Sequence, residues 1–296
     1  MRNLMVGLLA GSAMLAAAGA AQAAPVVMLD GFVKAGVNDY GTLGSIGATS
    51  PGILYDATGT GAYGINDFLT PGDPFEGYYV KATGYSNGAN NDGVTGFGTS
   101  APVSVDATHA TWSGTDGTLN IANAYSLSTI AGRSVIAVTT TLTNISNSTL
   151  TSLAFERILD PDVDVNAFGS FVTSNILFGT GEACGTGNFS GETICITEND
   201  PTHTGVAKVT ASWSTDPYTI LLGGNDGNGD YSIALAFALG DLAAGASDTF
   251  SYFYALGADR GTASGGDVPE PLTMSLFGAG LLGAGVLRRR MKKAQA

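Results

Sequence analysis

The chain has 296 residues, 12 of them basic and 25 acidic, for a formal net charge of −13. Nucleic acid and anionic membrane surfaces are repelled by such a field and are excluded as partners, whereas cations are attracted. The length suffices for one large all-β domain or two small ones with a substantial core.

The first 23 residues read as a secretory signal peptide: Arg2, an apolar stretch from Leu4 to Ala18, then Ala21-Gln22-Ala23 as the small-x-small cleavage site. The expected partners here are the Sec translocon and signal peptidase. Residues 24–257 are the cargo, a loop-rich part to residue 100 and a strand-rich part from 101. Between residues 25 and 270 six basic residues face 25 acidic ones, a net charge of −19.

In the loop-rich part, short strands are expected at 26–29 and 77–83, with loops dominant from Tyr85 to Ser100. Gly84-Tyr85-Ser86-Asn87-Gly88 fits the nucleophile-elbow string, but a loop and not a helix is expected to follow it. Gly59 to Gly64 fits a dinucleotide fingerprint without the surrounding βαβ unit, and reads as a turn.

From Ala101 strands take over, at 103–108, 119–122 and 134–144. In the last, Ile136, Val138 and Leu142 alternate with Ala137, Thr139 and Thr141. Asn144 to Ser148 reads as a turn that returns 150–159 as the hairpin partner. Further strands are expected at 206–213, 218–222, 231–239 and 249–256. No stretch of the cargo sustains helical periodicity, so the fold class is all-β, an antiparallel β-sandwich.

Cys184 and Cys195 flank a turn-rich loop of ten residues. In an exported protein they are expected to form a disulfide.

Two acidic stretches could carry chemistry. Asp160, Asp162, Asp164 and Asn166 alternate after a strand, and Asp226, Asn228 and Asp230 have the spacing of half a calcium loop. Alternating carboxylates with carbonyls between them can wrap Ca²⁺. The same residues also suit polar turns, and both readings stand. Glu156 with Asp160 or Asp162 could form the carboxyl pair of a glycosidase. Thr139, Thr141 and Thr143 could face ice or a glycan, or simply fill solvent-facing strand positions, and Trp112 and Trp213 could stack on sugars or sit in the core.

Residues 258–267 read as a flexible linker. Then come Val268-Pro269-Glu270-Pro271, an uncharged stretch from Leu272 to Leu287, and a basic cluster over 288–293 that opens with Arg288, Arg289 and Arg290. The two prolines hold the first four residues extended. The uncharged stretch, about 24 Å long as a helix, is a short membrane span whose flanking arginines snorkel. The basic cluster keeps the C-terminus cytoplasmic.

These three features in this order closely resemble the PEP-CTERM sorting signal. The resemblance implies processing near the motif by exosortase, a membrane-embedded cysteine protease, and delivery to the cell surface or an exopolysaccharide matrix. It says nothing of the cargo's activity. The cargo is expected to be non-enzymatic, structural or adhesive, with calcium stabilisation one of the two readings of its acidic stretches. The alternatives are a carbohydrate-binding module of the matrix and a secreted polysaccharide-active hydrolase.

Overall fold

A computed structural model describes residues 25–44, 51–71 and 76–264. The stretch read as a signal peptide and the sorting segment, including Val268 to Pro271 and Arg288 to Arg290, lie outside the described residues. Among those described, no helix is long and apolar enough to cross a membrane.

The strands in chain order are β1 (Val26–Leu29), β2 (Val33–Val37), β3 (Ile53–Tyr55), β4 (Glu76–Ala82), β5 (Tyr85–Asn90), β6 (Val103–Ser104), β7 (His109–Thr115) and β8 (Leu119–Ile130). They continue with β9 (Arg133–Asn144), β10 (Leu150–Leu159), β11 (Thr173–Phe178), β12 (Glu182–Gly187), β13 (Thr193–Glu198), β14 (Gly205–Thr210), β15 (Ser232–Leu242) and β16 (Ser247–Gly257). Three single-turn helices interrupt them: α1 (Val165–Phe168), α2 (Pro217–Ile220) and α3 (Arg260–Ala263).

Two large sheets form the body. One has five strands in the order β14-β15-β10-β4-β5, the other eight in the order β11-β12-β13-β16-β9-β8-β7-β6, and β1-β2-β3 make a small third sheet. The named strands all pair antiparallel, and an isolated parallel bridge joins Val209 to Asn225. Alternation assigns the faces. In β8, Leu119, Ile121, Tyr125 and Leu127 are buried while Asn120, Ala122 and Ala124 are exposed. Phe155 of β10 meets Phe250 of β16 at 4.8 Å between ring centroids, so the two sheets share one aromatic core.

Several expectations are corrected. The segment 150–159 is a strand, but not the hairpin partner of 134–144. β9 pairs with β8 and β16, while β10 lies in the other sheet between β15 and β4. The turn after β9 is a crossing between sheets. It is pinned by the Asn144 amide, which donates to Ser148 O and to Leu242 O at the end of β15. Residues 218–222 do not form a strand. Pro217 stands at the first helical position and the Asp216 carboxylate accepts from Tyr218 N, so the chain turns as α2. The 85–100 stretch expected as loop carries β5, and 103–108 is a strand only over its first two residues. Within the stretch read as a flexible linker, residues 260–263 form α3, closed by a capping box between Asp259 and Thr262.

Candidate functional sites

The outer face of the eight-stranded sheet is polar, and the strand register explains its relief. Ala124 of β8 lies opposite Thr111 of β7 on one side and Thr139 of β9 on the other. Two residues along, Ala122 lies between Ser113 and Thr141. Two alanines thus form a floor along β8, with hydroxyl-bearing residues on both neighbouring strands. Strands spaced near 4.8 Å place those two walls about 10 Å apart. The result is an open groove of about 320 Å³, its rim completed by Ser100, Ala101 and Val103.

Beyond the β9 wall the hydroxyls pair across strands. Thr139 meets Ser251 at 3.3 Å, Thr141 meets Thr249 at 2.9 Å and Thr143 meets Ser247 at 2.8 Å between side-chain oxygens. Each hydroxyl is held in place yet keeps capacity to donate or accept outward. Trp112 is not available for stacking there. Its ring is buried and its indole N–H donates to Asp39 O and Ser100 O. Trp213 is half-buried and donates to the Tyr79 hydroxyl. Among the described residues the exposed aromatics are instead Phe32, Phe168, Phe171 and Phe189, with Phe168 stacked at 5.4 Å on Phe189 of the β12–β13 turn, toward the opposite end of the strand order from the groove. Scattered single phenylalanines in loops gave no periodic signal in the sequence.

The two acidic stretches meet, but only in part. Leu159 pairs with Ile233, so the chain leaving β10 runs beside the chain entering β15. This brings oxygens of Asp160, Asp162 and Asp230 within 4.8 Å of one another. Burial raises the Asp160 carboxyl to about 7, with the nearby Asp230 charge adding to it. Burial likewise raises Asp162 to about 9, with Asp160 and Asp230 contributing repulsion.

The remaining candidates are engaged in holding the backbone. Asp164 accepts from the N–H groups of Phe189 and Ser190, Asn166 donates to Thr70 O, Asp226 accepts from Ala211 N, and Asn228 accepts from Asn175 N. Neither sequence stretch therefore forms a loop site by itself. Glu156 is separate again, on the outer face of the five-stranded sheet beneath Trp213, Ile220 and Leu221. Both of its carboxyl oxygens lack a hydrogen-bond partner, and burial raises it to about 9, with Asp216 adding to the shift.

Sequence reasoning also missed a polar pair in the core. Arg157 and Glu76 are both fully buried. The guanidinium engages both carboxylate oxygens, Nη2 reaching Oε2 at 3.0 Å, while the Tyr254 hydroxyl donates to Oε1 at 2.6 Å and Leu43 N–H to Oε2 at 2.8 Å. A single arginine inside a strand of alternating residues carries no pattern that separates it from a solvated one. Cys184 and Cys195 form a disulfide, as expected. They do so not across a loop but between paired positions of β12 and β13.

Residues 267–290 match the PEP-CTERM protein-sorting motif, so the chain is an exported, exosortase-sorted protein with a C-terminal membrane anchor before processing. No curated protein matches the chain. Among solved structures, the chain is similar to a bacterial glucoamylase complexed with acarbose, with a TM-score of 0.51 and 11% identity over 82% of this chain and 33% of that one. It thus spans a third of that glucoamylase's length. A galactose mutarotase-like protein from Lactobacillus casei gives a TM-score of 0.41 at 12% identity, over 79% of this chain and all of that one. An Escherichia coli chain described as an aldose 1-epimerase gives 0.35 at 13%, over 79% of this chain and 98% of that one. The likeness to the glucoamylase establishes a shared fold. The expectation of a non-enzymatic cargo is corrected by it, because the sandwich is of a kind that enzymes carry.

Proposed function

We propose that this chain is a carbohydrate-recognising, adhesive protein of the extracellular polysaccharide, and that the groove along β8 is where it meets the glycan. The observation that carries this reading is the register of the groove: an alanine floor between walls of Thr111, Ser113, Thr139 and Thr141. A sugar presents an apolar ring face and a periphery of hydroxyls that both donate and accept. An alanine floor suits the first and the wall hydroxyls suit the second, those of Thr139 and Thr141 being held by Ser251 and Thr249. Groove-lining residues include no carboxylate, so the groove offers a glycan neutral hydrogen bonds and shape. The solved glucoamylase, whose fold is similar, is a complex with acarbose, which agrees with a carbohydrate reading without carrying it.

Delivery fits the same picture. The Arg288 to Arg290 cluster holds the C-terminus on the cytoplasmic side, exosortase cuts near Pro271, and the released sandwich enters the polysaccharide outside the cell.

Binding of polysaccharide from the native host, measured by calorimetry with the parent chain and with Ala124→Trp, tests the site. The indole would fill the floor between Thr111 and Thr139 from an exposed position. Affinity is expected to fall by about tenfold or more with an unchanged melting temperature. Parent-like binding by Ala124→Trp, with loss on Phe189→Ala instead, would move recognition to the exposed phenylalanines and refute the groove.

A further inference from the structure

We infer that Asp160, Asp162 and Asp230 form a calcium site assembled from two distant segments of the chain. The inference is independent of the carbohydrate reading, since these residues lie at the end of the five-stranded sheet and not on the groove face.

The first observation is convergence: three carboxylates offer oxygens within 4.8 Å of one another. The second is the state of Asp162. It is 1% exposed, and its Oδ1 has no hydrogen-bond partner although it sits among two other carboxylates. A buried acceptor is ordinarily satisfied. Here what surrounds the oxygen is two further carboxyl groups and no hydrogen-bond donor, an arrangement that a bound cation would complete.

No ion pair involving any of the three is found among the described residues, so a side-chain cation does not fill that role. The backbones that carry them are fixed. Asp162 N donates to Phe68 O and its carbonyl accepts from Val165 N, while Gly229, beside Asp230, exchanges two hydrogen bonds with Thr173. The carboxylates are thus held together by the sheet register and by these anchors rather than by attraction for each other. Asp230 is exposed and Asp160 partly so, which leaves the cluster open to solvent on one side. An all-oxygen, all-carboxylate set selects a hard cation. Calcium accepts irregular geometry and makes up its six to eight ligands with carbonyls and water, whereas magnesium demands a near-ideal octahedron.

The full-length chain, purified in detergent and stripped with chelator, is titrated with calcium chloride by calorimetry and melted with and without the ion. One calcium per chain is expected, with a melting temperature raised by about 5 °C or more at roughly a hundredfold excess over Kd. Asp162→Asn is expected to abolish both responses while still melting cooperatively like the metal-free parent, because it removes one of the three carboxylate ligands and keeps the size of the side chain. Asp226→Asn, which alters the acid that holds Ala211 N, is expected to keep both. No heat and no shift in the stripped parent, or parent-like affinity in Asp162→Asn, would overturn the assignment.

Discussion

Glu156 and Glu76 are both fully buried glutamates facing opposite sides of the five-stranded sheet, and their partners set them apart. Glu76 has Arg157, Tyr254 and Leu43 N–H around its carboxylate. Burial pushes its carboxyl upward while the guanidinium pulls it down. Removing one member of such a pair leaves an uncompensated charge in the core, so Arg157→Ala should cost about 3–5 kcal/mol in a denaturant titration. Glu156 has no such partner, and its carboxyl stands at about 9 against an ordinary 4.5.

The folded state therefore binds that proton more tightly than the unfolded state does. The contribution of Glu156 to stability is full below about pH 4.5, falls as pH rises, and is fully lost above about 9. Glu156→Gln removes the titration. It should flatten the stability profile across that window and raise stability at pH 7 by roughly 3 kcal/mol, measured by urea unfolding at several pH values. A variant that keeps the parent's slope would show that the carboxyl is ionised in the fold.

At the scale of elements, strand existence was legible wherever alternation ran for several residues, as in β9 with Ile136, Val138 and Leu142 inward and Thr139 and Thr141 outward. Pairing was not legible. Periodicity assigns a face, but the choice between β9–β10 and the observed β10–β15 involves residues distant in sequence, as in the Asn144 amide donating to Leu242 O, 98 residues away. The hairpin β12–β13 escaped because Gly185, Thr186 and Gly187 weaken its alternation, and Pro217 behind Asp216 turned an apparent strand into α2.

The candidate sites follow the same division. The acidic stretches and the threonine row could be named from sequence. Which acids meet, and that alanines of β8 lie between hydroxyls of β7 and β9, required the register. The disulfide gives a prediction at this scale. A loop of this length is worth about 3 kcal/mol by chain entropy alone. The Cys184→Ala/Cys195→Ala double variant should lose about that much in thermal unfolding, because the lost constraint acts on the unfolded chain, while β12 and β13, paired through Glu182 to Thr186, keep its strand content by circular dichroism.

As a whole molecule, the chain joins an acidic, hydroxyl-faced sandwich to a sorting signal that directs export. The net charge of −19 between residues 25 and 270 keeps the cargo from anionic surfaces and draws cations toward it. Replacing Pro269, Glu270 and Pro271 with alanine should stop processing, so that immunoblots of the native host show the protein accumulating in the membrane fraction and missing from the extracellular one. Unchanged release would place the cut outside this motif.

Recognition at the groove is tested most directly by nuclear magnetic resonance of the labelled protein titrated with oligosaccharides cut from the host's own polysaccharide. The amides of Thr111 to Ser113, Ala122 to Ala124 and Thr139 to Thr141 are expected to shift together and saturate with one affinity. A saturable response confined to other parts of the sandwich, or none at millimolar sugar, would contradict it.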